Sequence, residues 1–232
     1  MEPAYELVTR EIAAKGVGYL LLRRCAPQAL GETLARGREE LLAAGASELC
    51  VTSTDPACPL EEGRWDGFRL IHAREMLWME RPLAELPLPP AALMLEPLTR
   101  ARGGAWLALH NACFFDLPNS ATYGPRELEE ALDGAHRCGF ALSDGVVVGL
   151  YELNLAEAVP EIEGIAIHRD FQGKGLGRAL LLAVMGELAA LGRSRCRLLV
   201  ATDNRQAFSL YRNAGFKAAA VKSRWFQMVA EP

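Results

Sequence analysis

Ile165-Ala-Ile-His-Arg-Asp-Phe-Gln-Gly-Lys-Gly-Leu-Gly177 is the stretch whose reading decides the fold. Its first residues continue a strand that begins at Glu161, where alternation would set Glu161, Glu163, Ile165 and Ile167 on one face. The glycines interrupt that strand. After them Leu176, Leu180, Val184 and Leu188, flanked by Leu181 and Met185, repeat with the period of a packed helix that stops near Gly192. A strand that ends in a glycine-rich loop and opens a helix aims several backbone N–H groups at one point, where the helix dipole also favours negative charge. The segment Gln172-Gly173-Lys174-Gly175-Leu176-Gly177-Arg178 is therefore expected to hold a phosphate or pyrophosphate. Its glycines permit close backbone approach, and Lys174 and Arg178 add positive charge.

Two other phosphate loops fail on spelling. A dinucleotide fingerprint needs Gly-x-Gly-x-x-Gly, whereas Gly173, Gly175 and Gly177 are spaced Gly-x-Gly-x-Gly. A nucleoside-triphosphate loop needs Ser or Thr after Gly-Lys, and here Lys174 is followed by Gly175.

Around the loop, Trp106 to Phe115 and Pro125 to Arg137 read as helices, the second opened by a proline and glutamate-rich. Phe140–Leu142 and Val146–Leu153 flank Asp144-Gly145, a strong hairpin signal. Arg197–Ala201 reads as a buried strand, Arg205 to Ala214 as a short helix stopped by Gly215, and Phe216 to Val229 as a closing hairpin or one long bent strand. The proline-rich stretch Arg81 to Pro90 can sustain neither a helix nor a central strand. It places a boundary between residues 1–85 and 86–232.

The first part carries a partial copy of the second. Ala29 to Ala44 parallels Gly175 and the helix after it, Val51–Asp55 parallels Val200–Asn204, Gly67-Phe68 parallels Gly215-Phe216, and Trp78 parallels Trp225. The copy has lost the chemistry: Pro27 and Ala29 stand where Gly173 and Gly175 stand, and Gly63 falls opposite Tyr211.

Composition narrows the remaining classes. Half of the 232 residues are apolar, enough for a sizeable core, and the 25 basic against 29 acidic side chains give a formal charge of −4. That balance suggests neither a nucleic-acid partner nor an acidic tail. The six cysteines form no Cys-x-x-Cys pair and have no histidine cluster at zinc spacing, so they read as reduced thiols without a metal. No secretory signal or membrane span is apparent, which makes the cytoplasm the expected compartment.

The loop Gln172–Gly177, with the strand before it, resembles the pyrophosphate loop of the GNAT acetyltransferase superfamily. Thr202-Asp-Asn-Arg-Gln-Ala-Phe-Ser-Leu-Tyr-Arg-Asn-Ala-Gly-Phe216 resembles that superfamily's second signature. The resemblance covers about residues 92 to 232, and through the repeat residues 18 to 80 look like a degenerate relative. It implies an α/β fold: a mixed, mostly antiparallel twisted sheet with helices on both faces, preceded by a smaller half-domain of similar pattern. It also implies an N-acetyltransferase that moves acetyl from acetyl-CoA directly to a primary amine, without a metal.

By the same resemblance, backbone groups of Ile165, Ala166 and Ile167 would meet the acetyl and pantetheine portion of the cofactor at a splay between two parallel strands. Residues Gln172 to Arg178 would hold the pyrophosphate. Asn204 would touch the pantetheine side, or serve only as a helix cap. Tyr211 would give a proton to the departing sulfur, while Glu161 or Glu163 would take one from the amine. Asn119 and Tyr123, in the loop Pro118 to Tyr123, would contact the acceptor, or the loop's polar residues are there for turn chemistry. The acceptor would be a small-molecule or peptide amine whose identity the sequence does not specify, with nucleic acid and membrane not expected and a homodimer possible. Two other readings stay open: a non-catalytic acyl-CoA-binding or sensing module, and transfer of a longer acyl group.

Overall fold

The computed structural model describes residues 3–89, 93–117 and 120–231. In chain order the elements are β1 (Ala4–Val8), α1 (Ile12–Lys15), β2 (Val17–Arg24), α2 (Leu30–Ala43), β3 (Glu48–Ser53), β4 (Gly63–Trp65), β5 (Phe68–Pro82), β6 (Met94–Pro97), α3 (Gly103–Phe114), α4 (Pro125–Ala131), β7 (His136–Ser143), β8 (Val146–Asn154), β9 (Glu161–Ile167), α5 (Leu176–Ala190), β10 (Arg195–Ala201), α6 (Arg205–Asn213) and β11 (Lys217–Ala230). Contacts divide them into two compact units, one of residues 1–77, 201–203 and 221–232, the other of residues 78–200 and 204–220. The long strands β5 and β11 each supply residues to both units.

In the first unit the strands run β1-β2-β3-β11-β5, with β4 paired to β5. β2 and β3 are parallel and joined through α2; β1 on β2 and β3 on β11 are antiparallel. Leu20 and Leu22 of β2, Leu34 and Leu41 of α2, and Val51 of β3 are fully buried together. This is the helical and strand periodicity of the sequence converging on one core.

The second unit has the order β5-β10-β9-β8-β7-β6, antiparallel from β9 to β6 and parallel between β9 and β10. The β7–β8 hairpin turns at Asp144 and Gly145, both at positive φ (50° and 78°), as the dipeptide requires. Trp106 of α3 is fully buried against Phe140, Leu150 and Cys138, and α5 buries Leu180, Leu181, Val184, Met185 and Leu188. The expected mixed, mostly antiparallel sheet flanked by helices is therefore present.

Four local expectations change. The helix from Pro125 ends at Ala131, because Asp133 accepts the backbone N–H groups of Ala135 and His136 in a turn, and β7 starts at His136. Of the two readings of Phe216 to Val229, the hairpin falls and the single long strand stands: β11 is one strand of 14 residues. β6, which pairs with β7, has too short an apolar run to announce itself. The fourth change lies in β9. Tyr151 opposes Ile165 and Glu152 opposes Gly164, but Leu153 opposes Ile162 and Asn154 opposes Glu161. One extra residue, Glu163, has entered β9 as a bulge, and a bulge reverses the alternation on either side of it. Glu161 therefore shares a face with Gly164 and Ala166, while Ile165 and Ile167 lie on the other face with Ile162.

Candidate active site

β9 and β10 are paired only where Arg197 meets Glu161 and Leu198 meets Ile162. Beyond these pairs the two parallel strands part, so the backbone of Ile165 to Ile167 has no ladder partner on the β10 side. Backbone polar groups in a sheet interior normally find partners, which makes a gap of this kind a place for a ligand to supply them.

At the end of the gap the chain turns through Arg169–Phe171 into the glycine loop. Gly173 and Gly175 have φ of 78° and 77°, a region L side chains avoid, and a Cβ on either would meet no atom within 4 Å. The turn therefore needs glycine for its conformation and leaves open space beside it. Gly175 is the N-cap of α5, which starts without a side-chain cap, so the first N–H groups of a 15-residue helix point outward unbonded by any cap. The Gln172 side chain does not face this space: its Nε2 donates to Ile167 O at 2.9 Å and ties the loop back to β9. Lys174 leans over the Phe171 ring, Nζ 5.8 Å from its centre.

Beyond the end of β10, Asn204 caps α6, its Oδ1 accepting the N–H of Ala207 at 3.1 Å. Tyr211 lies on α6 beside Phe216, half-buried, and burial pushes its phenol up to about 12. It keeps its proton throughout the neutral range, as an acid must.

The two glutamates of β9 are already engaged. Glu161 Oε2 lies 3.5 Å from the Arg197 guanidinium. Glu163 Oε1 accepts from Asn154 Nδ2 at 2.9 Å, with His136 Nε2 3.6 Å from its other oxygen. Tyr123 is pinned by Asn111, which accepts its N–H at 2.8 Å and donates to its carbonyl at 3.0 Å. Asn119 lies outside the described residues.

The sequence reading passed over a group next to the bulge. Glu152, 3% exposed, sits on β8 below Gly164, receives the Tyr123 hydroxyl at 3.3 Å, and has His110 Nε2 3.3 Å from its other oxygen. Burial, and secondarily the nearby charge of Glu163, raise its carboxyl to about 8 against the opposing hydrogen bond from Tyr123. The signal was available: Glu152 is a single carboxylate in an otherwise apolar run, Val146 to Leu153, and His110 a single imidazole in an apolar helix. Among the described residues, no three His, Cys, Asp or Glu side chains are grouped to hold a metal ion. Nor is any described helix long and apolar enough to cross a membrane.

In the first unit the corresponding elements are β2, α2 and β3. There the parallel strands stay paired through six positions, from Val17 opposite Glu48 to Leu22 opposite Ser53. Their ends are stitched further by Thr54, whose N–H donates to Leu22 O at 2.9 Å, and by Asp55, which accepts the Cys25 N–H at 2.9 Å. The gap is closed.

Residues 104–216 match the model of the acetyltransferase (GNAT) family. Among curated proteins, the chain is 31% identical over 164 residues to a mycothiol acetyltransferase of Clavibacter michiganensis, a match covering 66% of this chain and 53% of that protein. It is 32% identical over 154 residues to a mycothiol acetyltransferase of Streptomyces avermitilis, covering 62% and 50%. The chain thus spans about half the length of these curated relatives. Among solved structures, a GCN5-related N-acetyltransferase from Sphaerobacter thermophilus superposes with a TM-score of 0.62 at 17% identity, over 97% of this chain and 75% of that one. A tandem GNAT protein from the clavulanic acid biosynthesis pathway gives 0.55 at 18% identity, over 94% and 76%.

Proposed function

We propose, from the match of residues 104–216 to the acetyltransferase (GNAT) family, that the chain is an acyltransferase that moves an acetyl group from acetyl-CoA directly to a primary amine. The observation that carries this reading is the parting of β9 from β10 beside an uncapped helix opened by Gly175. A slot lined by unpaired backbone that leads to a nest of N–H groups suits an extended arm ending in a pyrophosphate. Gly173 to Arg178 hold the pyrophosphate, with Gln172 keeping the loop in place. The backbone of Ile165, Ala166 and Ile167 along the gap holds the pantetheine arm and the acyl carbonyl, and Asn204, whose side-chain oxygen caps α6, uses its amide nitrogen on the same arm.

In the transfer, the amine nitrogen bonds to the thioester carbonyl carbon and the carbon–sulfur bond breaks. Tyr211 gives its proton to the departing sulfur, and β9 offers Glu161 and Glu163 for the proton of the amine. Tyr123 and Asn119 belong to the acceptor side. The relatives' name makes a mycothiol-related amine the first acceptor to screen.

The test is calorimetric titration of acetyl-CoA into the protein and into Gly175→Glu, followed by a thiol-release screen of amines. Micromolar binding lost in the variant, with CoA released only when an amine is present, supports the proposal. A well-folded protein that binds no acetyl-CoA refutes it. Binding without turnover on any amine points instead to an acyl-CoA-sensing module, and faster release from longer acyl-CoA substrates to a different acyl group.

A further inference from the structure

A buried carboxylate next to a reaction site needs an account, since an unsatisfied one is costly. Glu152 is held by three elements. β8 carries it, Tyr123 at the end of the α3–α4 connection donates to its Oε2, and α3 sets His110 Nε2 3.3 Å from its Oε1. Oε1 is buried and receives no hydrogen bond, its approach to His110 notwithstanding. Space has been made for it in β9: a Cβ on Gly164 would lie 2.8 Å from Oε1 and 3.1 Å from Cδ. Gly164 directly follows the bulge at Glu163, so the strand is opened and re-registered at the place where the carboxyl fits.

The orphaned oxygen makes sense if it is the donor. A protonated Glu152 accepts from Tyr123 at Oε2 and carries its own proton on Oε1, facing His110 Nε2. The imidazole then holds its proton on Nδ1, 3.4 Å from Asn111 Oδ1. Around His110 stand Tyr123, stacked at 3.6 Å between centres, Phe114 at 4.6 Å and Trp106 at 5.8 Å. Aromatic faces at these distances favour a cation.

We propose that Tyr123, Glu152 and His110 form a relay that carries the acceptor amine's proton away from the reaction site and leaves it on His110. The proposal rests on the acetyl-transfer reading above. The ammonium proton passes to Tyr123 Oη, the Tyr123 proton to Glu152 Oε2, and the proton on Glu152 Oε1 to His110 Nε2. The amine becomes neutral and nucleophilic, His110 becomes an imidazolium, and Glu152 ends as it began, a neutral acid with its proton on the opposite oxygen. Tyr123 touches the substrate, whereas Glu152 and His110 act through it. Glu161 and Glu163 keep the role proposed above, as acceptors of the second N–H proton, released once the carbon–nitrogen bond has formed.

Glu152→Gln is the decisive variant. Its amide can accept from Tyr123 and donate to His110, so both contacts survive, but no proton can be relayed. Tyr123→Phe is the second variant, since it keeps the ring stacked on His110 and removes only the hydroxyl. Infrared spectra at pH 7 should show a protonated-carboxyl band that Glu152→Gln removes and Glu163→Gln retains. Nitrogen NMR should show His110 as the neutral Nδ1–H tautomer. With the amine found by the screen, both variants should lose about 100-fold or more in kcat, with the acetyl-CoA dissociation constant unchanged. The wild-type proton inventory in mixed light and heavy water should curve, as for several protons in flight, and become linear in Tyr123→Phe. Full activity in folded Glu152→Gln and Tyr123→Phe, or absence of the carboxyl band, overturns the relay while leaving acetyl transfer intact. Failure to bind acetyl-CoA overturns the acetyl-transfer reading, and the relay with it.

Discussion

Raising the pH from 5 to 9 should destabilise the protein through Glu152, and Glu152→Gln should abolish that loss. The carboxyl is 3% exposed and its proton is held to about pH 8, against 4.5 in an unhindered glutamate. The folded chain therefore binds this proton more tightly than the unfolded one. Its contribution is complete below pH 4.5, falls as pH rises beyond that value, and is exhausted above about 8. Each pH unit in that window is worth about 1.4 kcal/mol, so the interval of about 3.5 units sets a ceiling of about 5 kcal/mol. That is a large part of an ordinary domain's stability. The groups facing Glu152 are Tyr123 from the α3–α4 connection, His110 from α3, Glu163 from β9 and Cys138 from β7. All of them remain in Glu152→Gln, so the difference between the two proteins isolates Glu152. Urea unfolding at whole pH units from 5 to 9 gives the two curves. Wild type and variant should converge in slope below pH 5 and diverge progressively up to pH 8. Parallel curves across the whole range would refute the assignment of a neutral, buried acid.

Tyr211→Phe should lower kcat by about 100-fold without changing acetyl-CoA affinity, because it removes a proton donor and keeps the ring; steady-state kinetics beside calorimetry separates the two effects. Asn204→Ala should cost about 1 kcal/mol of stability by removing the α6 cap, read from urea midpoints, and any weakening of acetyl-CoA binding beyond that marks the contact proposed for its amide nitrogen. Titration of the whole chain should give a stoichiometry of one acetyl-CoA, since β2 and β3 are paired through the position where β9 and β10 part. A stoichiometry of two would mean that the first unit still opens.

The glycine loop, the helix after it and the hairpin were legible because each depends on short-range chemistry: positive φ at Gly173 and Gly175, a helical apolar stripe, an Asp-Gly turn. The partial repeat was legible as well, since β2, α2 and β3 repeat the order of β9, α5 and β10, but its lost glycines spoke only of lost chemistry and not of the paired strands that close the gap. The bulge at Glu163 was not. A bulge adds one residue without changing residue type, so strict alternation put Glu161 with Ile165 and Ile167, and only the register with β8 separates them. The Tyr123–Glu152–His110 group was hidden for another reason: its members come from a loop, a strand and a helix far apart in sequence, and only the packing of α3 over β8 and β9 brings them together. The grouping of residues 201–203 and 221–232 with residues 1–77 in one compact unit is equally a matter of tertiary contacts, which no local pattern encodes.

The two copies of the β-α-β element together explain why one has an open slot and the other does not. Parting two central strands leaves backbone donors and acceptors without ladder bonds, and each bond forgone is worth about 1 kcal/mol to the folded chain. A copy that binds a ligand recovers this through the ligand's own hydrogen bonds. A copy that does not has no compensation, and pairing the strands is then the lower free-energy state. The six paired positions of β2 and β3, with Thr54 and Asp55 sealing their ends, are that state; the two paired positions of β9 and β10 are the other. The second unit should therefore gain more from acetyl-CoA than contact area alone suggests. At a concentration one hundred times its dissociation constant, the ligand should raise unfolding free energy by about 2.7 kcal/mol. Hydrogen exchange should slow at Ile165 to Ile167 and at the first turn of α5, leaving β2 and β3 unchanged. Equal protection in both units would refute the argument, because it would mean that the closed copy also takes the ligand.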